Sequence, residues 1–191
     1  MKVIPVKYAE SVLPKSMIFK NGDEHKVRPI SFKVYLIETE GHTILVDAGC
    51  ETMPGFDMRN FIGPIKALES INVRSEDITD VIITHSHHDH IECVKYFNKA
   101  IIHIEREEYK PGEEYIPDNF KVNIFNDEFT ICENVRIIKI GGHSAGSCIV
   151  EVKKDNVTYI ISGDECYLRE CLEKKIPTGS SVCPEKSKGF I

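Results

Sequence analysis

The stretch Thr84-His85-Ser86-His87-His88-Asp89-His90 places five metal-ligating side chains within seven residues. Imidazole nitrogens and a carboxylate oxygen are ligands that suit zinc and similar borderline ions. His85 and His87 stand two apart, so a continuing extended backbone points both rings to one face. Asp89 and His90 fall at an expected helix start, where Asp89 has the alternative of capping the helix through backbone N–H groups. Polar groups crowd in this way at a cost unless partners compensate them. Two later positions carry the same residue types, though a lone histidine is more often structural. His143 follows Gly141-Gly142 and precedes Gly146, a backbone shaped for a tight turn. Asp164 closes the apolar run Tyr159-Ile160-Ile161-Ser162-Gly163-Asp164, where the alternative is an ordinary turn aspartate. A zinc ion held by such groups lowers the pKa of its water to about 7 and polarises a carbonyl under attack, which is the chemistry of hydrolysis.

The elements around these residues read as carriers for them. Asp80 to Thr84 is a short apolar run expected to be a buried strand. It delivers the histidine run to a sheet edge, ahead of a helix near Ile91 to Phe97. Strands are expected at Lys2 to Tyr8, Ser31 to Glu38 and His42 to Val46, the last two pairing as a hairpin through Glu40-Gly41. A helix is expected within Asn60 to Ile71, from the spacing of Phe61, Ile65 and Leu68. Ala100 to Ile104 reads as a strand and the Pro/Gly-rich Lys110 to Pro117 as a loop. Further strands are expected near Val122 to Phe125, Glu128 to Cys132, Val135 to Ile140, Cys148 to Val152 and Val157 to Ser162. Strand-rich halves with helices between them fit an α/β fold, with helices packed outside layered sheets. No internal repeat or linker is visible, so residues 1–191 read as one domain.

Composition excludes several classes. The chain carries 24 Lys and Arg against 30 Asp and Glu, a formal charge of -6. It has no general attraction for nucleic acid or an anionic membrane. No apolar run approaches the roughly 20 residues of a membrane span. The N-terminus shows no signal-peptide pattern. Seven cysteines, an odd number without a CxxC pair, argue for free thiols in a reducing cytoplasm. Of these, Cys166 and Cys171 are expected to be small buried side chains. His103 lies in a β-like run and reads as structural, while His25 and His42 lie near turns and read as solvated. His88 is expected to point away from a metal or to bond a ligand's neighbour.

His85-Ser86-His87-His88-Asp89-His90 resembles the HxHxDH signature of the metallo-β-lactamase superfamily. Three further segments resemble its other motifs, in the expected order: Val46-Asp47-Ala48-Gly49, Gly142-His143-Ser144-Ala145-Gly146-Ser147 and Ser162-Gly163-Asp164. The four together span most of the chain. The resemblance implies a four-layer αββα sandwich and a site for one or two zinc ions, with iron or manganese as alternatives. In that pattern His85, His87 and His143 hold the first metal, Asp89 and His90 hold the second, and Asp164 bridges them. A metal-bound hydroxide is the implied nucleophile, and Asp89 orients the water or carries a proton. Asp47 and Ser144 are implied to orient ligating imidazoles, with a loop or cap role as the alternative for each. Tyr167, three residues after Asp164, matches a tyrosine of lactonase-like members that contacts the substrate carbonyl or leaving group.

The family pattern carries one more histidine after the bridging aspartate, and no histidine follows His143 here. Pro184 reads as a helix start, and the family's closing strand and helix are expected to be missing. An edge left uncovered in that way would favour a homodimer. The leading expectation is a zinc hydrolase of the lactonase or glyoxalase II-like kind, cleaving an ester, thioester, lactone or similar small carbonyl compound. An iron-dependent persulfide-type oxygenase and a degenerate metal-binding module without turnover are the other classes.

Overall fold

The computed structural model describes residues 1–190. Its elements run β1 (Lys2–Pro14), α1 (Lys15–Ile18), β2 (Val27–Thr39), β3 (His42–Val46), α2 (Pro64–Glu69), β4 (Asp80–Ile83), α3 (His88–Ile91), β5 (Ile101–Glu105), α4 (Arg106–Gly112), β6 (Lys121–Phe125), β7 (Glu128–Cys132), β8 (Val135–Lys139), β9 (Cys148–Lys154), β10 (Val157–Ile161), α5 (Arg169–Lys174) and α6 (Pro184–Phe190). Two sheets, ordered β1-β2-β3-β4-β5-β6 and β10-β9-β8-β7, give the expected mixed α/β architecture. The chain forms two compact units. One comprises Met1–Ser11, Ile30–Ile104 and Tyr109–Ile124; the other comprises Val12–Pro29, Glu105–Glu108 and the chain from Phe125 on.

In the first unit the hairpin of β2 and β3 forms as its alternation predicts, with Thr39 opposite His42 and Gly41 at φ +78° in the turn. β3 pairs in parallel with β4, and β4 in parallel with β5. Parallel strands buried on both faces need continuous apolar sequence. β4 supplies it, and Val81, Ile82 and Ile83 are wholly buried. Each such side chain contributes about 1.5–3 kcal/mol through removal from water. Because the strands are parallel, the carboxyl ends of β3 and β4 lie side by side. Open α/β sheets carry their chemistry at such ends, and here they bear Asp47 and the histidine run.

In the second unit the four strands are antiparallel throughout. The central pair, β8 and β9, buries Val135, Ile137, Cys148, Val150 and Val152. Asp155, at φ +53°, turns the chain from β9 to β10.

Some boundaries differ from expectation. β1 continues to Pro14 rather than ending near Tyr8. Its buried positions run Val6, Tyr8 and then Ala9, Ser11, Leu13, so the alternation changes phase and the strand reads as finished too soon. The helix expected within Asn60 to Ile71 is only α2. It opens on Pro64, whose ring suits a first helical position, and Phe61 and Ile62 lie exposed outside it. The loop expected at Lys110 to Pro117 instead contains the end of α4, with Pro111 inside its last turn, and a 3-10 turn at Glu113–Tyr115. The helix expected at Ile91 to Phe97 starts earlier as α3 and continues as a 3-10 turn, Glu92–Tyr96. Among the described residues, no helix is long and apolar enough to cross a membrane.

Candidate metal centre

Asp47 organises the first unit's share of the site. It follows β3 at φ +61°, and its own N–H donates to the Ile82 carbonyl at 2.8 Å. Its buried carboxylate accepts from Thr84 N at 2.8 Å, Thr84 Oγ1 at 3.0 Å and His90 Nδ1 at 2.7 Å. Thr84 thereby spends its only hydroxyl proton on Asp47. Its oxygen is left to accept from His85 Nδ1, 3.2 Å away. The consequence is a fixed tautomer: His85 keeps a lone pair on Nε2, which faces His87 Nδ1 at 3.0 Å. His90 donates from Nδ1 to Asp47, and its Nε2 lies 3.6 Å from Asp89 Oδ2. Outer bonds of this kind orient metal-ligating imidazoles in general. β4 ends at Ile83, yet the rings of His85 and His87 do meet, as their spacing predicts. The chain is still extended at His87 (φ -64°, ψ 146°) and helical from His88. Asp89 therefore lies inside the first turn and is not the cap.

The second unit carries the remainder. Ile140 N and Gly141 N both donate to the Ser147 carbonyl, at 2.8 and 2.9 Å, with Gly141 at φ +69°. This closes the turn that holds His143. A fully buried carboxylate, Glu165, fills the turn: Oε1 accepts from Gly142 N and His143 N at 2.9 Å each and from Ser147 Oγ at 2.5 Å. Its Oε2 accepts from Ser187 Oγ at 2.7 Å. A Cβ on Gly142 would collide with Ser187 and Glu165, so only glycine fits there. Glu108 Oε1 holds the far side of the turn, accepting from Ser144 Oγ at 2.6 Å and Gly146 N at 2.8 Å. Ser144 thus bonds Glu108 in place of the imidazole partner the family pattern implied. After β10, Gly163 at φ +50° turns the chain so that Asp164 Oδ2 lies 3.5 Å from His143 Nε2. Tyr167 donates its phenol proton to the same oxygen at 2.7 Å. Ser180 Oγ stands 3.3 Å from both His143 Nδ1 and Tyr167 Oη.

His85 and His87 in the first unit, and His143 and Asp164 in the second, each offer one ligating atom. Three imidazoles and a carboxylate are a donor set that zinc accepts, and the outward bonds of Nδ1 on His85 leave a lone pair for it. Asp89 and His90 form their own close pair and are not in that group of four. The other histidines go elsewhere. His88 meets the Thr52 carbonyl at 2.9 Å and Tyr115 Oη at 3.4 Å. His103 is buried and donates from Nε2 to Asp80 at 2.8 Å, a structural role as expected. His42 is only half-buried and donates from Nδ1 to the same carboxylate at 2.8 Å, so it is not simply solvated. His25 is exposed. Cys166 and Cys171 are buried, with their thiols donating to the carbonyls of Leu168 and Ile18. Sequence reading missed Glu165, Glu108 and Ser180. The first adjoins Asp164, which was its only signal, and the other two had none.

A Bacillus cereus N-acyl homoserine lactonase is 26% identical over 168 residues, covering 75% of this chain and 67% of the relative. A probable metallo-hydrolase of Methanocaldococcus jannaschii is 34% identical over 126 residues, covering 66% of this chain and 55% of that protein. The chain thus spans about two thirds of the first relative's length and just over half of the second's. Among solved structures, a quorum-quenching N-acyl homoserine lactone hydrolase has the same fold with a TM-score of 0.85 at 22% identity, covering 98% of this chain and 83% of that one. A probable metal-dependent hydrolase from Staphylococcus aureus gives 0.80 at 18%, covering 98% and 81%. The sequence pattern of the Metallo-beta-lactamase superfamily matches residues 33–183, a span that contains all four motifs. With that span matched and the α/β fold shared, this chain belongs to the metallo-beta-lactamase superfamily.

Proposed function

We propose that the chain is a zinc-dependent hydrolase of small carbonyl compounds, with lactones first and thioesters and simple esters next. The observation that carries this reading is the set of ligating atoms offered by His85, His87, His143 and Asp164, with the Tyr167 phenol hydrogen-bonded to Asp164. Lactones lead because several curated relatives are N-acyl homoserine lactonases. Bound zinc supplies an acidified water and a Lewis acid for the carbonyl.

The residues divide the remaining work. His85, His87, His143 and Asp164 would hold the first ion, and Asp89 and His90 would offer ligands to a second. Asp89 takes and returns protons at the leaving group. Tyr167, whose phenol hydrogen lies on the Asp164 carboxylate, would turn that hydrogen to the substrate oxygen when substrate binds. Asp47, through Thr84 and His90, keeps the imidazoles aimed while the substrate turns over. Free cysteines throughout suit a reducing compartment, the cytoplasm.

The test is elemental analysis of protein purified without chelator, paired with a panel of an N-acyl homoserine lactone, a thioester and a simple ester. The expected result is at least one zinc per chain, hydrolysis lost on chelation, and recovery with added zinc. Iron in the purified protein would bring the oxygenase reading forward. No metal retained after zinc soaking would sink the hydrolase.

A further inference from the structure

We infer that Glu165 and Ser187 are positioning residues for the metal ligand His143: they fix the peptide that carries it, and through them the docking of α6 is coupled to zinc binding. The inference rests on the reading of His143 as a metal ligand, proposed above.

The turn around His143 closes without either residue, because Ile140 N and Gly141 N both donate to the Ser147 carbonyl. Glu165 and the segment leading into α6 add a hold on the dipeptide Gly142-His143 itself. Glu165 Oε1 accepts from both of its N–H groups, at 2.9 Å each. Its two carbonyls accept from the other side: Gly142 from Cys183 N at 2.9 Å, and His143 from Val182 N at 3.2 Å. All four main-chain polar groups of the dipeptide are thus bonded to residues far from it in sequence. An N–H group can only donate, so Glu165 Oε1 is the acceptor in both of its bonds whatever else surrounds the imidazole. Ser187 Oγ joins the two sides of the hold. It donates to Glu165 Oε2 at 2.7 Å, and it lies so close to Gly142 that a Cβ there would collide with it. Glu165 and Ser187 are both wholly buried.

Apolar packing does not account for the placement of Val182. Its side chain is 70% exposed, so the main-chain bond to His143 holds it where it is. A carboxylate set against successive N–H groups is the way a backbone binds an anion, and hydrogen bonds to a charged group are about twice as strong as neutral ones. Holding the peptide from both sides fixes the direction in which the His143 side chain leaves the backbone. That matters for a ligand, because a metal site works only with its ligands within about 0.5 Å of the productive geometry. Such coupling is reciprocal. If docking of α6 strengthens zinc binding, bound zinc must hold α6 down by the same factor.

The experiment measures zinc affinity of the full chain by competition with a chromophoric chelator, and amide hydrogen exchange at Val182 and Cys183 with and without zinc. It compares wild type, Ser187→Ala, Glu165→Ala and Glu165→Gln. In wild type, zinc is expected to slow exchange at both amides about fivefold, the lower end of coupling between two sites. Ser187→Ala should bind zinc about fivefold more weakly and lose most of that slowing. Glu165→Ala should weaken zinc binding about 10–100-fold. Glu165→Gln keeps an oxygen for both N–H groups and should recover most of the affinity. A merely structural role would lower the stability of these variants and leave the zinc affinity of their folded forms unchanged. Where Glu165→Ala does not fold, Ser187→Ala and the wild-type exchange decide. Wild-type zinc affinity in Ser187→Ala overturns the inference, and so does exchange at Val182 and Cys183 that ignores zinc in the wild type. A His143→Ala chain that binds zinc as tightly as wild type removes the ligand reading and this inference with it. A chain that shows the coupling and hydrolyses nothing refutes the hydrolase proposal and leaves this one standing.

Discussion

Replacing Asp80 with Asn removes the charge that anchors the start of β4, the strand that delivers the histidine run. The Asp80 side chain is only 5% exposed. Its Oδ1 accepts from His103 Nε2 at 2.8 Å, and its Oδ2 accepts from His42 Nδ1 at 2.8 Å and Thr79 Oγ1 at 2.6 Å. Burial pushes this carboxyl up, but the hydrogen bonds from His103, His42 and Thr79 outweigh burial and hold it at about 2, below its ordinary 3.8. A folded pKa below the unfolded one means that the charged form stabilises the fold. That contribution is complete above about pH 4 and is lost as the pH falls through about 2. At 1.36 kcal/mol per pKa unit it amounts to about 2 kcal/mol at pH 7 and to about 1 kcal/mol at pH 3. Asn keeps the shape but turns an NH₂ group toward donors, so Asp80→Asn should lose the contribution. Urea unfolding of both chains at pH 7, 5, 4 and 3 measures it. The gap between them should stay near its full size from pH 7 to 5 and fall to about half by pH 3. A gap below about 0.5 kcal/mol at pH 7, or one that does not change with pH, would refute the reasoning.

Asp47→Ala takes away the acceptor of both Thr84 and His90. Zinc affinity should fall about 10–100-fold in a chelator competition, and an unchanged affinity would mean that the imidazoles are aimed by something else. Glu165→Ala leaves Gly142 N, His143 N, Ser147 Oγ and Ser187 Oγ short of an acceptor in a buried turn. At about 1–3 kcal/mol for a buried group left unsatisfied, the urea midpoint should drop by several kcal/mol equivalents; a loss under about 1 kcal/mol would show that water replaces the carboxylate. Tyr167→Phe removes the phenol donor with little change in shape. Lactone kcat should fall about 100-fold at unchanged zinc content, and wild-type kcat in this variant would take Tyr167 out of the chemistry.

The sequence by itself determined the fold class and the family, because both are written in local pattern. The apolar run Val81-Ile82-Ile83 can only be a buried strand, and it ends where the histidines begin. The glycines around His143 allow one tight turn, and Gly142 has no room for a side chain. Boundaries failed where local pattern misled: β1 outlasts its own alternation at Tyr8 and Ala9, and α4 accepts Pro111 in its last turn. Tertiary structure alone decided which side chains hold these site residues. Asp47 reaches Thr84 and His90 only because β3 and β4 are parallel neighbours. His42 and His103, read apart, share one carboxylate because three strands start side by side. Glu165 turned back under Gly142, and Ser180 set between His143 and Tyr167, are contacts between residues that chain spacing does not connect. Hydrogen bonds have no sequence period. A short polar side chain meets partners so distant in sequence only when the packed fold brings them together.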